Sequence, residues 1–165
     1  MKGHPPIYQI GTKGVTMKPE TEKMLAIVKM GTKRILEEGG EVVPTLFLID
    51  GKDRMAILGI PLTDENAKSA FEKGLPEFLK ATKAHTYFFV CEAWSTTSER
   101  PINEGIAVSD LPLDDQKEIV IIAGAENKAG KLLFLAEIKT TLKGKELGEF
   151  EKKEDGGGRF LVEKW

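Results

Sequence analysis

Nine consecutive residues, Thr86-Tyr87-Phe88-Phe89-Val90-Cys91-Glu92-Ala93-Trp94, carry apolar side chains on both parities. Successive residues of an extended strand point to opposite faces. Phe88, Val90 and Trp94 therefore share one face, and Tyr87, Phe89 and Cys91 share the other. Such a strand is stable only where both faces are covered, so it belongs in the middle of a sheet with other layers packed on it. A chain of 165 residues with 41% hydrophobic residues is long enough to supply those layers as one domain.

The rest of the chain provides candidates for the covering. Met1–Gly14 holds Pro5, Pro6, Gly3, Gly11 and Gly14 without periodicity, so residues 1–18 read as a flexible arm and 19–165 as a single domain. Pro19 suits a first helical turn and Gly39-Gly40 a helix stop. Between them Met24, Leu25, Ile27, Val28, Ile35 and Leu36 recur at helical spacing, which predicts a helix over about 20–38. Val42–Ile49 and Arg54–Leu62 read as strands around an Asp50-Gly51 turn. A second helix should start at Thr63 as N-cap and be kinked or split by Pro76. After the central strand comes a long connection, 96–115. Then Glu118–Ala123 and Leu132–Leu142 read as strands and Lys143–Gly148 as a turn. Glu149–Lys153 and Arg159–Trp165 suggest a closing hairpin. The expected class is α+β: a largely antiparallel sheet of five to seven strands with two helices packed on it. The order is α-β-β-α-β, the long loop, then four strands. That element order is similar to PAS-like and roadblock-like ligand and dimerisation modules, an analogy that fixes no function.

Charge narrows the function classes. There are 24 basic and 26 acidic residues, a net of −2, and the stretch 92–126 carries eight acidic residues against two basic. Neither favours a nucleic-acid track. Twenty of the basic residues are Lys and 19 of the acidic ones are Glu, with only two Gln and three Asn. That bias is the mark of heat-adapted chains, so a thermophilic protein is expected. The apolar runs are too short to span a membrane, and the polar start does not resemble a secretory leader. With one cysteine no internal disulfide can form, and the expected compartment is the cytoplasm.

Candidate chemistry is sparse. No phosphate-binding glycine motif, nucleophile elbow or paired metal-ligand spacing occurs, so no catalytic residue, metal or cofactor is expected. Gly156-Gly157-Gly158 reads as a turn. His4 falls in the arm, and His85 opens the central strand. Cys91 should be a buried, inert thiol, because an apolar strand disfavours the thiolate. Ser95, Ser98 and Ser109 have no assignable base. Asp110–Asp115 lacks the spacing of a calcium loop.

Glu92 stands out as a carboxylate in an apolar strand, and such a group must be paired, hydrogen-bonded or protonated. Arginine is scarce (Arg34, Arg54, Arg100, Arg159), and one of these is the expected partner. Glu92, Trp94, Arg100 and His85 form the candidate binding set.

The run Tyr87–Trp94 resembles the aromatic–aliphatic strand ending in Glu-Ala-Trp of a group of uncharacterised small prokaryotic and phage proteins. The likeness continues through a long loop with a Pro-rich acidic part, a charged pair opening an aliphatic strand (Asp115, Lys117-Glu118, Ile119–Ile122), and an acidic turn with glycine (Glu126, Gly130). It covers residues 42–140 and implies a fold of this kind, but no activity.

These readings favour a non-catalytic binding or self-association module. A homodimer is expected, because Trp165 at a chain end must pack on its own core or on a partner. The alternative is a small hydrolase-like enzyme with a pocket at Glu92, Trp94 and His85.

Overall fold

A computed structural model describes residues 17–96, 116–154 and 160–165. Most of the expected arm, all of the long connection after Thr96, Arg100 and the triple glycine lie outside the described residues. So do His4, Ser98, Ser109 and Arg159.

The elements are helix α1 (Pro19–Glu37), strands β1 (Thr45–Asp50) and β2 (Met55–Gly59), and helix α2 (Glu65–Ala81). Strands β3 (Ala84–Thr96), β4 (Gln116–Glu126), β5 (Gly130–Thr141), β6 (Gly144–Leu147) and β7 (Glu151–Lys152) follow. The sheet order is β2-β1-β3-β4-β5-β6, with β7 also paired to β5. Every described pairing is antiparallel. The architecture is the expected α+β sheet with two helices.

Local chemistry explains the ends of α1 and the first hairpin. Pro19 opens α1, Glu20 and Glu22 lie in its first turn and Arg34 in its last, the arrangement that the helix dipole favours. At its end the Gly40 N–H reaches the Ile35 carbonyl (2.8 Å) and the Gly39 N–H the Leu36 carbonyl (3.1 Å). This is a Schellman stop, and it needs the positive φ of 87° that Gly39 adopts. The β1–β2 turn is held by Asp50, whose Oδ1 accepts the N–H groups of Lys52 and Arg54. The Arg54 N–H is the main reason that this carboxyl titrates below its ordinary range.

Three expectations need correction. Asp64, not Thr63, caps α2, its Oδ1 accepting the Ala67 N–H at 2.7 Å. The helix then runs unbroken through Pro76 to Ala81, because burial of Leu75 and Leu79 on the sheet holds together a turn that lacks one donor. Lys143–Gly148 contains a real strand, β6. Gly144, at φ 125°, turns the chain back, and Leu147 is buried under α1.

The central position of β3 follows from its two apolar parities. Phe88 and Val90 pack under α1 with Val120, Ile122, Leu132 and Phe134. Tyr87 and Phe89 pack on the opposite face with Leu46, Leu48, Leu75 and Leu79. No described helix is long and apolar enough to cross a membrane.

Candidate functional site

The described residues cover the two faces of the sheet unequally. On the face opposite α1, helix α2 and its neighbours cover Leu46, Leu48 and Tyr87. The same face continues along β4 and β5 through Ile119, Ile121, Ala123, Leu133 and Leu135, and these line a groove of about 600 Å³. Pro44, Leu62, Phe89 and Phe160 form its walls. Phe71, Phe89 and Phe160 close one end, with ring centres 4.9 to 5.2 Å apart.

Phe160 reaches this position because the C-terminal segment crosses the sheet face. Where the sequence suggested a strand over 159–165, the described residues 160–165 hold none. Tyr87 organises them: its hydroxyl donates to the Phe160 carbonyl (2.8 Å) and accepts the Val162 N–H (2.7 Å). Trp165 donates its ring N–H to the Ala84 carbonyl at 2.8 Å and stacks edge-on against Tyr87. The terminal tryptophan is thus covered by its own chain, which resolves the choice that the sequence left open. Side-chain hydrogen bonds take the place of a ladder here, and nothing in the alternation of 159–165 announces them.

The expected site residues divide. Cys91 lies in the groove's floor; Glu92 and Trp94 are at its border, but alternation along β3 turns their side chains to the α1 face with Val90. His85 is seven residues away along β3, about 23 Å at 3.3 Å per residue, and lines no part of the groove. Glu92 does not meet an arginine among the described residues. Its Oε2 accepts the Val42 N–H at 2.9 Å, while Arg34 pairs with Glu38 and Arg54 with Asp50. The carboxylate ties the entry to β1 onto β3, a backbone partner that residue type cannot reveal. Trp94 is half-exposed at the strand end, opposite Glu118.

Burial pushes the Cys91 thiol up to about 11, with Lys68 opposing the shift and Glu92 adding to it. At neutral pH only about one molecule in ten thousand then carries a thiolate. A thiol reagent is therefore expected to label the native protein about a hundredfold more slowly than an unperturbed cysteine, and at the ordinary rate after denaturation. Labelling at equal rates with and without denaturant would contradict this environment.

Lys68 escaped the sequence reading because one lysine among 20 carries no local mark. It stands on α2 at the groove's rim, and no carboxylate pairs with it among the described residues.

The far end of β3 holds a second polar assembly that the sequence reading missed. The Glu126 carboxylate, 2% exposed, accepts the Thr21 hydroxyl (2.7 Å) and the Lys18 N–H (3.2 Å) on Oε2. The Thr86 hydroxyl lies 3.4 Å from that of Thr21 and 2.7 Å from His85 Nδ1. His85 Nε2 is 3.1 Å from Asp53 Oδ1. A neutral ring serves both contacts by donating from Nε2 to Asp53 and accepting the Thr86 hydroxyl at Nδ1. Glu126 acts as a tertiary cap for α1, whose own N-cap Lys18 offers no side-chain acceptor. Its one legible signal was parity, which places Glu126 on the face of Val120 and Ile122.

Among the described residues no group of three His, Cys, Asp or Glu side chains could hold a metal ion. No family model, curated protein or solved structure matches the chain.

Proposed function

We propose that this protein is a non-catalytic binding module whose ligand is a small amphiphile, with an apolar body in the groove and an acidic end at Lys68. The observation that carries the reading is the groove itself: about 600 Å³ over an aliphatic floor, within the size range of small-molecule sites. Ile121 and Leu135 in that floor are only half-buried, so apolar surface faces the groove. Lys68 is the cation at the rim, and Glu92 is already engaged by the Val42 N–H.

The hydrolase alternative draws little support from the geometry. It needs His85 beside Glu92 and Trp94, and a strand length separates them. It also needs an activated nucleophile, whereas burial holds the Cys91 thiol protonated.

Decanoate and decanol test the reading by isothermal titration calorimetry. Both are expected to bind, decanoate more tightly, with dissociation constants of about 10–100 μM. Lys68→Ala should weaken decanoate about fivefold and leave decanol unchanged. Ala123→Phe, which fills the floor, should abolish both. Absence of saturable binding for either compound, or equal binding by Ala123→Phe, would overturn the proposal.

A further inference from the structure

Among the described residues the sheet has one open edge of unusual composition. Strand β2 runs along it, and Met55 to Leu62 reads Met-Ala-Ile-Leu-Gly-Ile-Pro-Leu, eight residues without a charge. Natural sheet edges are usually guarded by lysine or another charge, and here the opposite edge, β6, carries Lys145 and Glu146. Strand β2 has no such guard.

The direction of its free amides follows from its pairing with β1. The Asp50 N–H donates to the Arg54 carbonyl, and the Ile60 N–H to the Pro44 carbonyl. Even-numbered residues therefore aim their backbone groups at β1. Met55, Ile57 and Gly59 aim theirs at the open edge. The outward series ends at Asp53, in the turn with φ 60°, and at Pro61, which has no N–H. Its midpoint is Ile57.

We propose that two copies of this chain join along β2, antiparallel, with the two-fold axis at Ile57. Ile57 then faces Ile57 of the second copy, and Met55 faces Gly59. Each directly opposed pair exchanges two backbone hydrogen bonds, about six in all. Arg54 falls opposite Ile60, so no like charges meet.

The side chains agree with this register. Ile57 is opposite Phe47, on the α1 face. Ile27, Ile35, Val43, Met55 and Ile57 are each 45–63% exposed, and Ile27, Ile35, Val43 and Phe47 line one shallow cleft along the flank of α1. A two-fold axis normal to the sheet sets both α1 helices on one side, with these flanks facing each other across the joined strands. Side chains of this size and exposure offer on the order of 500 Å² a side, to which the strand backbone adds. Stable dimers need about 800 Å² per partner.

Light scattering from about 1 to 100 μM tests the proposal on the full chain. The expected mass is twice 18.2 kDa, falling to one copy in Ile57→Lys, while Lys145→Ala stays dimeric. A monomer throughout, or an Ile57→Lys variant that remains dimeric, would overturn it. Hydrogen exchange on the unmodified protein keeps the test open if Ile57→Lys does not fold. The Met55, Ile57 and Gly59 amides should be protected at high concentration and exchange faster on dilution. Exchange at unprotected rates at the highest concentration would equally overturn it.

Discussion

Gly124→Ala is expected to destabilise the protein by about 3 kcal/mol or more, lowering its melting temperature by about 10 °C or preventing folding. Gly124 lies directly opposite Phe88 in the β3–β4 ladder. A Cβ built there would overlap the Tyr87 carbonyl oxygen and come within 2.7 Å of the Phe88 ring and 3.1 Å of its Cα. Two of these three atoms are backbone of the central strand, packed on both faces, so a rotamer change cannot give way. The absent side chain lets the Phe88 ring lie across the neighbouring strand. Gly74→Ala is the matched control. Nothing stands within 4 Å of a Cβ at Gly74, an exposed position inside α2, and that substitution should stabilise by about 0.5–1 kcal/mol through helix propensity. Thermal melts followed by circular dichroism read both. Equal melting temperatures for Gly124→Ala and the parent would show that the two central strands can move apart at no cost.

The second large effect is expected at Glu126. Glu126→Ala strips a buried acceptor from the Thr21 hydroxyl and the Lys18 N–H, and removes the negative charge at the start of α1. Leaving such donors unpaired should cost about 3 kcal/mol, again about 10 °C in melting temperature. Glu126→Gln retains an acceptor and should lose about half as much. Glu118→Ala breaks the half-exposed pair with Lys145, 3.6 Å long, and should change stability by less than about 1 kcal/mol. Combining Thr21→Val with Glu126→Ala should cost clearly less than the sum of the single changes, since each removes the other's partner. Additive losses would mean that the two side chains do not act as one unit.

Much of the fold was legible in the sequence because it rests on local rules. Pro19, Gly39-Gly40 and the apolar spacing between them determined α1. Asp50-Gly51 determined the first hairpin. The doubled parity of Tyr87–Trp94 determined a central strand, since no other setting buries Phe88 and Phe89 at once. The errors were also local. Asp64 rather than Thr63 caps α2, because the capping oxygen must meet the Ala67 N–H. Pro76 was overruled by the burial of Leu75 and Leu79, which outweighs one missing hydrogen bond.

The site was less legible, for a different reason. Glu92 could be recognised as a carboxylate needing a partner, yet its partner is a backbone N–H 50 positions away. Glu126 meets a threonine 105 positions away, and Tyr87 clasps a segment 73 residues further on. Period and composition describe neighbours along the chain, whereas these contacts join groups that only strand order brings together. Whether a face is covered is likewise a property of the assembled layers: Ile121 and Leu135 carry the same alternation as buried residues, yet they line a groove beside the first turn of α2. The sequence by itself determined which residues need shelter from water. The tertiary structure decided which of them receive it from their own chain, because that depends on distances between segments that no local pattern encodes.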